Sequence, residues 1–313
     1  MSPCRICSGR LELFLRGASA APDPSGFAPT CHQPGAHGDL YRCSECGTVQ
    51  QPSLPAGRAL HDLYRRMCDV GYLKEERGRR RSARRLLDLL DAPSPGARLL
   101  EVGCGHGLLL DEARGRGYEV HGLELSADAA RHAREVLGLE ITEVALEDAD
   151  LQGQEFDAVV LADVLEHLHD PVRALARCQE LLAPDGTLLV ATPDPSSLTA
   201  RIAGARWWGY LPAHTCLIPR ATLRGLLGGR DLVLEDDVSY VRSFTPAYWL
   251  DGLAQRGGAA GALLKAVSRG LPDRTLLSLS LGDERVMVAR KTNVTPARQR
   301  PLLDRGAPAN VAP

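Results

Sequence analysis

The sequence of 313 residues has no stretch approaching the ~18 consecutive apolar residues that cross a bilayer as a helix. Its N-terminus, MSPCRICSGR, has no apolar run of the signal-peptide kind. A cytoplasmic chain with no membrane partner is therefore expected. A surplus of one charge is missing too: 37 Lys and Arg stand against 39 Asp and Glu, a formal net charge of −2. Proteins that hold nucleic acid mainly through phosphates normally show a basic excess, so this balance argues against nucleic acid as a partner. There are no internal repeats. The composition also excludes collagen, coiled coil and wholesale disorder.

Cysteine, by contrast, is plentiful. Four of the nine fall in two Cys-x-x-Cys pairs, Cys4/Cys7 and Cys43/Cys46, each with a glycine close behind (Gly9, Gly47). In a reducing compartment such pairs are metal ligands far more often than disulfides. Four thiolates at about 2.3 Å around Zn²⁺ would make residues 1–52 a zinc ribbon. A closed shell of four thiolates makes the metal structural, and a segment with so little apolar content depends on it to fold. Cys31, His32 and His37, in the Gly/Pro/Ala-rich loop between the pairs, are spare donors.

Residues 53–95 read as a helical linker, with leucines and tyrosines at three- and four-residue steps over 58–91 and a stop at APSPGA. From 96 to 291 strands and helices alternate, which predicts an α/β domain with a parallel sheet flanked by helices. The strand candidates are RLLEVG, YEVHGLE, LEITEVA, FDAVVLAD and GTLLVATP, with Ser126 as a helix N-cap after the second. Beyond Pro195 come a helix near 220–228, a strand at 231–241, a helical stretch at 246–269 and a last strand, ERVMVARK. The tail, 292–313, is rich in Pro, Ala and Arg and is expected to be disordered.

The stretch LLEVGCGHGLLL places Gly103, Gly105 and Gly107 between a strand and a helix. Glycines there let backbone approach a ligand and offer it helix N–H groups. The dinucleotide fingerprint would need its third glycine at position 108, which is Leu108, and Glu101 precedes the loop; both argue against a pyrophosphate cofactor. The next strand ends GLELS, so Glu124 sits where a carboxylate can accept hydrogen bonds from a ribose diol.

LLEVGCGHG, GLELS, FDAVVLADVLEHLHDP and LLAPDGTLLVATPD, in this order over about residues 95–240, resemble the motifs of class I S-adenosylmethionine-dependent methyltransferases. The resemblance implies a Rossmann-like seven-stranded sheet of order 3-2-1-4-5-7-6 with the last strand antiparallel. It implies S-adenosyl-L-methionine as cofactor, with Glu101, Gly103 and Gly105 at its amino-acid part and Glu124 on the ribose. Ala145 stands where the family carries an Asp near the adenine, so Leu146 and Glu147 are the substitutes, with Ala162 and the lid residue Tyr72 completing the pocket.

ADVLEHLHDP resembles the segment of ubiquinone-biosynthesis O-methyltransferases in which an acid–acid–histidine set holds Mg²⁺. Asp163, Glu166 and His167 could converge if a helix starts there; otherwise Glu166 and His167 line the cofactor pocket. A ribbon ahead of such a core is similar to deoxysugar C-methyltransferases; ribosomal-RNA guanine methyltransferases also begin with a zinc site, of closer spacing. The run RGRRRSARR (77–85) reads either as a solvated helix face or as a patch for an anionic substrate such as a nucleotide sugar, a phosphopantetheine carrier or RNA. In ARWWGYLPAHTCLIP, Trp207, Trp208 and Tyr210 offer flat surface for an acceptor, and His214 is the candidate base, with His167 next. The expected activity is methyl transfer to a small molecule, O-methylation in bacterial secondary metabolism; the alternatives are sugar C-methylation and RNA methylation.

Overall fold

The computed structural model describes residues 3–18, 23–30, 36–229, 231–254, 266–268 and 275–292. All but Thr292 of the expected disordered tail, and most of the second half of the 246–269 helical stretch, lie outside these residues. In chain order the elements begin with β1 (Leu11–Leu15), β2 (Leu40–Cys43), β3 (Val49–Gln50), α1 (Arg58–Arg65) and α2 (Glu76–Leu87). The central domain follows with β4 (Arg98–Val102), α3 (Leu108–Gly115), β5 (Glu119–Leu123), α4 (Ala127–Glu135), β6 (Ile141–Thr142), β7 (Phe156–Ala162), α5 (Pro171–Leu181) and β8 (Leu182–Pro193). Then come α6 (Leu198–Ala203), β9 (Cys216–Leu217), α7 (Arg220–Gly228), β10 (Leu232–Ser239), β11 (Arg242–Phe244), α8 (Pro246–Ala254), β12 (Leu277–Leu279) and β13 (Glu284–Lys291).

Seven strands form one sheet in the order β10-β13-β8-β7-β4-β5-β6. Counted from the first strand of the domain this is 3-2-1-4-5-7-6, with β13 antiparallel to both neighbours, as the motifs implied. β4, β7 and β8 are mostly apolar and buried in their central residues because helices cover both faces of the sheet. One core packs α5 and α7 on one face and the other packs α2, α3 and α4 on the opposite face. Ser126 caps α4 as expected, its Oγ accepting from Ala129 N at 3.3 Å.

Two elements depart from the sequence reading. The stretch 58–91 is not one helix: it breaks between α1 and a 3₁₀ turn, Tyr72–Glu75. At the break the Asp69 carboxylate accepts from Gly71 N at 3.0 Å and from Thr30 N at 2.9 Å, so side chain replaces helix as partner to the backbone. LEITEVA contributes only Ile141–Thr142 to the sheet, because the chain turns at once, with Val144 N bonding back to Thr142 O at 3.0 Å.

The N-terminal unit is not closed on itself. β1, β2 and β3 form a sheet whose fourth strand is β9, from beyond the central strands. Val49 pairs with Leu217 and Gln50 with Cys216. α2 in turn lies against β11: a Cβ on Gly78 would fall 2.2 Å from Ser243 O, so only glycine allows that approach.

Candidate active site

The three loop glycines follow β4 with φ of 67°, 53° and 80°. They do different jobs. A Cβ on Gly103 would sit 2.6 Å from Val164 Cγ2, and one on Gly107 2.6 Å from Leu139 Cδ1, so both make room for neighbouring chain. A Cβ on Gly105 would meet only the Tyr72 hydroxyl, at 3.8 Å; this glycine faces open space. Gly105 N donates to Glu124 Oε2 at 2.7 Å, and Ser126 N donates to Oε1 at 2.6 Å. Glu124 thus joins the glycine loop to the start of α4. Burial raises its pKa, against the pull of these backbone N–H groups.

Beside this loop, at the carboxyl ends of the parallel strands, lies a cavity of about 950 Å³. Gly103, Gly105, Glu124, Leu146, Glu147, Ala162 and Tyr72 all line it. Glu101 does not. It is buried beneath the loop, accepts a hydrogen bond from the Leu110 backbone and leaves Oε2 without a partner among the described residues. Burial, and then the Glu124 charge, push its pKa well above the carboxylate range. Glu147 accepts from or pairs with His61 Nε2 at 3.1 Å, on the wall formed by α1.

Sequence reasoning missed Arg79 by treating the arginines as one run. Its guanidinium lies 3.8 Å over the Tyr72 ring, which is itself stacked on His106 at 4.4 Å. Arg79 Nε donates to Tyr72 O at 3.1 Å, whereas Nη2 is buried with no acceptor among the described residues, beside a cavity that Arg79 lines. The rest of the run does not form a basic patch. Arg80 is held by Glu76 (2.8 Å), Asp111 (2.7 Å) and Glu112 (3.3 Å), Arg84 by Glu112 (2.8 Å), and Arg85 donates to Ser243 Oγ at 2.6 Å. Only Glu76, four residues before Arg80 on α2 itself, is a partner that spacing could signal; the others come from α3 and β11.

Across the cavity, Asp163, Glu166 and His167 do not converge. The chain after β7 enters a 3₁₀ turn, Leu165–His167, rather than a helix. Asp163, at φ 59°, turns to Arg242 at 2.5 Å, and Arg242 also binds Glu284. The Mg²⁺ alternative for these three residues is therefore not assembled, while Glu166 and His167 line the cavity as in the other reading. Glu166 accepts from Thr192 Oγ1 at 2.9 Å instead. His214, from the loop before β9, takes the vacated side: ligand atoms of Glu166, His167 and His214 all lie within 4.8 Å of one another.

His214 Nδ1 bonds Gly209 O at 2.7 Å; His167 Nδ1 is 2.9 Å from Tyr64 Oη and 3.2 Å from Ala213 O. The two rings meet edge to face at 4.8 Å. Burial lowers the pKa of His167 to about 4, and burial followed by the neighbouring His167 lowers that of His214 to about 3. Both imidazoles are neutral at physiological pH. The value near 6.5 expected of an open histidine does not apply.

The aromatic wall is also rearranged. Trp207 is only 1% exposed, and its Nε1 donates to Asp283 at 2.8 Å within a core shared with Tyr210. Neither lines the cavity; of the three expected aromatics only Trp208 does. The flat surface is supplied instead by Phe244, Tyr248 and Trp249, with Phe244 and Tyr248 stacked at 4.1 Å. They come from β11 and α8, inserted between β10 and β13.

The four paired cysteines assemble away from the cavity, with every Sγ within 4.8 Å of the others. Cys4 and Cys46 are 3.6 Å apart and Cys7 and Cys43 3.5 Å. A tetrahedron with arms of about 2.3 Å has edges of about 3.8 Å, so the set fits a four-thiolate metal site. Gln50 Nε2 donates to Cys4 Sγ at 2.9 Å and Ile6 N approaches at 3.4 Å. His37 is turned to Gly38 O at 2.7 Å and is not part of the cluster; Cys31 and His32 lie outside the described residues.

Among the described residues no helix is long and apolar enough to cross a membrane. A family model described as "Methyltransferase domain" matches residues 74–236. The ubiquinone biosynthesis O-methyltransferase of Cereibacter sphaeroides is 38% identical over 136 residues, 40% of this chain and 55% of that protein. Its namesake from Alkalilimnicola ehrlichii is 38% identical over 122 residues, 36% of this chain and 49% of that one. The chain thus spans about half the length of the curated relatives it matches. Solved structures of similar shape include the N-methyltransferase NodS of Bradyrhizobium japonicum with S-adenosyl-L-homocysteine (TM-score 0.48, 16% identity, 74% of this chain and 96% of that one). Another is magnesium protoporphyrin IX methyltransferase of Synechocystis with the same ligand (TM-score 0.47, 16% identity, 72% of this chain and 90% of that one). With its sheet order, its glycine loop and a family match over half its length, the chain belongs to the class I S-adenosylmethionine-dependent methyltransferases.

Proposed function

We propose that this enzyme methylates an oxygen of a small molecule held between the cofactor and the His167–His214 pair. The observation that carries this reading is the cavity itself. Its volume of about 950 Å³ lies near the top of the about 300–1,000 Å³ range of small-molecule sites, so cofactor and acceptor can share it.

At the cofactor end, Gly105 presents bare backbone, and Glu124 keeps lone pairs for a ribose diol beyond the two N–H groups it already accepts. Leu146 and Glu147 flank the place of the adenine, with Ala162 at the end of β7. Tyr72 closes the opposite side. Arg79, with a buried Nη2 that has no acceptor among the described residues and lies beside Tyr72, suits the carboxylate of the methionine part. Glu101 acts from below, by holding the first turn of α3. Bound there, S-adenosylmethionine supplies an electrophilic methyl group on a positively charged sulfur.

The protein's own contribution is mainly positioning and exclusion of water. Phe244, Tyr248 and Trp208 offer flat faces to an acceptor. As the acceptor's O–H bond is lost and its bond to the methyl forms, the proton needs a lone pair. His214 Nε2 has one when Nδ1–H donates to Gly209 O, and His167 stands next to it. The four cysteines hold one structural Zn²⁺ on this reading, remote from the chemistry. The glycine-, alanine- and arginine-rich composition suits secondary metabolism in a bacterium.

The test uses a methyl-labelled donor with a panel of hydroxyl-bearing small molecules and, separately, RNA. Mass spectrometry should find the label on an oxygen of a small acceptor. Label on carbon would replace O-methylation by the sugar-type reaction, and label on RNA would overturn the substrate class.

A further inference from the structure

Phe27, Ala28 and Pro29 of the N-terminal unit line the cavity, and a further residue of that unit, Gln51, holds the loop that carries His214. Gln51 follows β3 and is 1% exposed. Its backbone N donates to Thr215 O at 3.0 Å. Its side-chain Nε2 donates to Pro212 O at 3.0 Å and to His214 O at 3.3 Å, while its Oε1 accepts from Gly38 N. Three carbonyls around His214 therefore converge on the N–H groups of one buried residue, which belongs to the N-terminal unit.

The start of this loop is anchored elsewhere, with Trp207 Nε1 and Trp208 Nε1 donating to Asp283 at 2.8 and 2.7 Å. Gln51 holds its far end, residues 212–215, where Arg5 Nη1 adds a longer contact to Thr215 O at 3.5 Å. Residues 207–215 form no helix or strand. The His214 ring is oriented by Gly209 O, an acceptor within the same loop, which would move with it. On its far side Thr215 N donates to Glu166 O at 2.8 Å and Thr215 Oγ1 to Leu168 O at 2.5 Å, so Thr215 meets the turn that carries His167. The loop is clamped between that turn and Gln51. Gln51 itself does not line the cavity and has no hydrogen bond to the glycine loop or Glu124.

We propose that Gln51 is a positioning residue for the methyl-acceptor side: it sets where His214 stands relative to His167, and leaves the cofactor end unaffected. A buried carbonyl that loses its donor costs more than the hydrogen bond was worth, so the loop must shift to find another partner. The N-terminal unit is on this account a wall of the active site. The inference rests on the assignment of the histidine pair to the acceptor side, but it is read from the histidines directly and needs no acceptor.

The experiment compares full-length parent, Gln51→Met and Thr222→Val. Gln51→Met keeps the length and removes both side-chain donors. Thr222→Val removes a different tie between the unit and the core, Thr222 Oγ1 to Cys46 O at 2.8 Å. Imidazole nitrogen resonances of His167 and His214 are followed against pH, with S-adenosylhomocysteine affinity by calorimetry and metal content by elemental analysis. In Gln51→Met both histidine signals should move and the His214 midpoint should climb from about 3 toward the value of an open imidazole. Affinity for S-adenosylhomocysteine should stay within about twofold and metal content should not change. Thr222→Val should leave both histidines where they are.

Unchanged histidine signals in Gln51→Met overturn the proposal, as do equal shifts in Thr222→Val, since general loosening would then be the cause. Loss of S-adenosylhomocysteine affinity alongside the shift overturns its restriction to the acceptor side. Should Gln51→Met not fold, Gln51→Asn keeps the amide but withdraws it by one methylene, and unchanged signals there are equally fatal. Failure to find an O-methylated product would leave these readings intact, so the two conclusions fall separately.

Discussion

The place of Glu124 was legible at residue scale because it is set locally: an acid at the end of a strand, beside a glycine loop, has few other places to be. Glu124→Ala should weaken S-adenosylhomocysteine binding by about 1.5–3 kcal/mol, the scale of lost charged hydrogen bonds; unchanged affinity by calorimetry would mean the ribose lies elsewhere. The pH behaviour of His214 was not legible, since burial by distant chain sets it. With pKa values of about 3 and 4, His214 and His167 are neutral at pH 5 and gain nothing further by pH 8. Acidification below about pH 4 protonates them and removes the lone pair. Turnover should therefore be flat between pH 5 and 8 as far as these groups govern it, and His214→Gln should lower it by about 10²–10⁴. A rise centred near pH 6.5 in the parent, absent from His214→Gln, would show that the ring is open to water.

At the scale of elements, the parallel strands and the helices that cover them could be read because long apolar runs and glycine punctuation are strong local signals. What failed was whatever depended on a partner far away in the chain. Trp207 and Tyr210 carry the same letters whether they face an acceptor or, as here, a core closed by Asp283. Arg79 is one arginine among six until α2 is laid along the glycine loop. The four cysteines sit between these cases, since their spacing announced a cluster but not the strand that completes their sheet. Purified protein should carry one zinc per chain. Cys43→Ser should release it and speed amide exchange at β9 and the His214 loop, while the seven-stranded sheet keeps its protection. Elemental analysis finding no metal would remove the zinc, and exchange confined to residues before β3 would show that the shared sheet does not transmit the loss.

For the molecule as a whole, charge is balanced in number and also in place. Arg77 and Arg81 are the exposed members of the basic run without an ion pair among the described residues, while its neighbours are met by acids of α3. Arg77→Gln with Arg81→Gln should leave S-adenosylhomocysteine affinity unchanged. Parent and variant should both bind RNA weakly and with a shallow salt slope; a steep slope in the parent that the pair of substitutions flattens would restore RNA as a substrate. The pairing of β3 with β9 has a consequence for how the protein is made. During synthesis the N-terminal strands leave the ribosome long before residues 216 and 217 exist. Until then β3 is a sheet edge with open N–H and C=O groups, able to recruit a strand from another nascent chain. The contact that finally covers it joins distant parts of the sequence, the kind of closure that forms slowly. Strands made well before the central sheet are thus among the last that can finish folding.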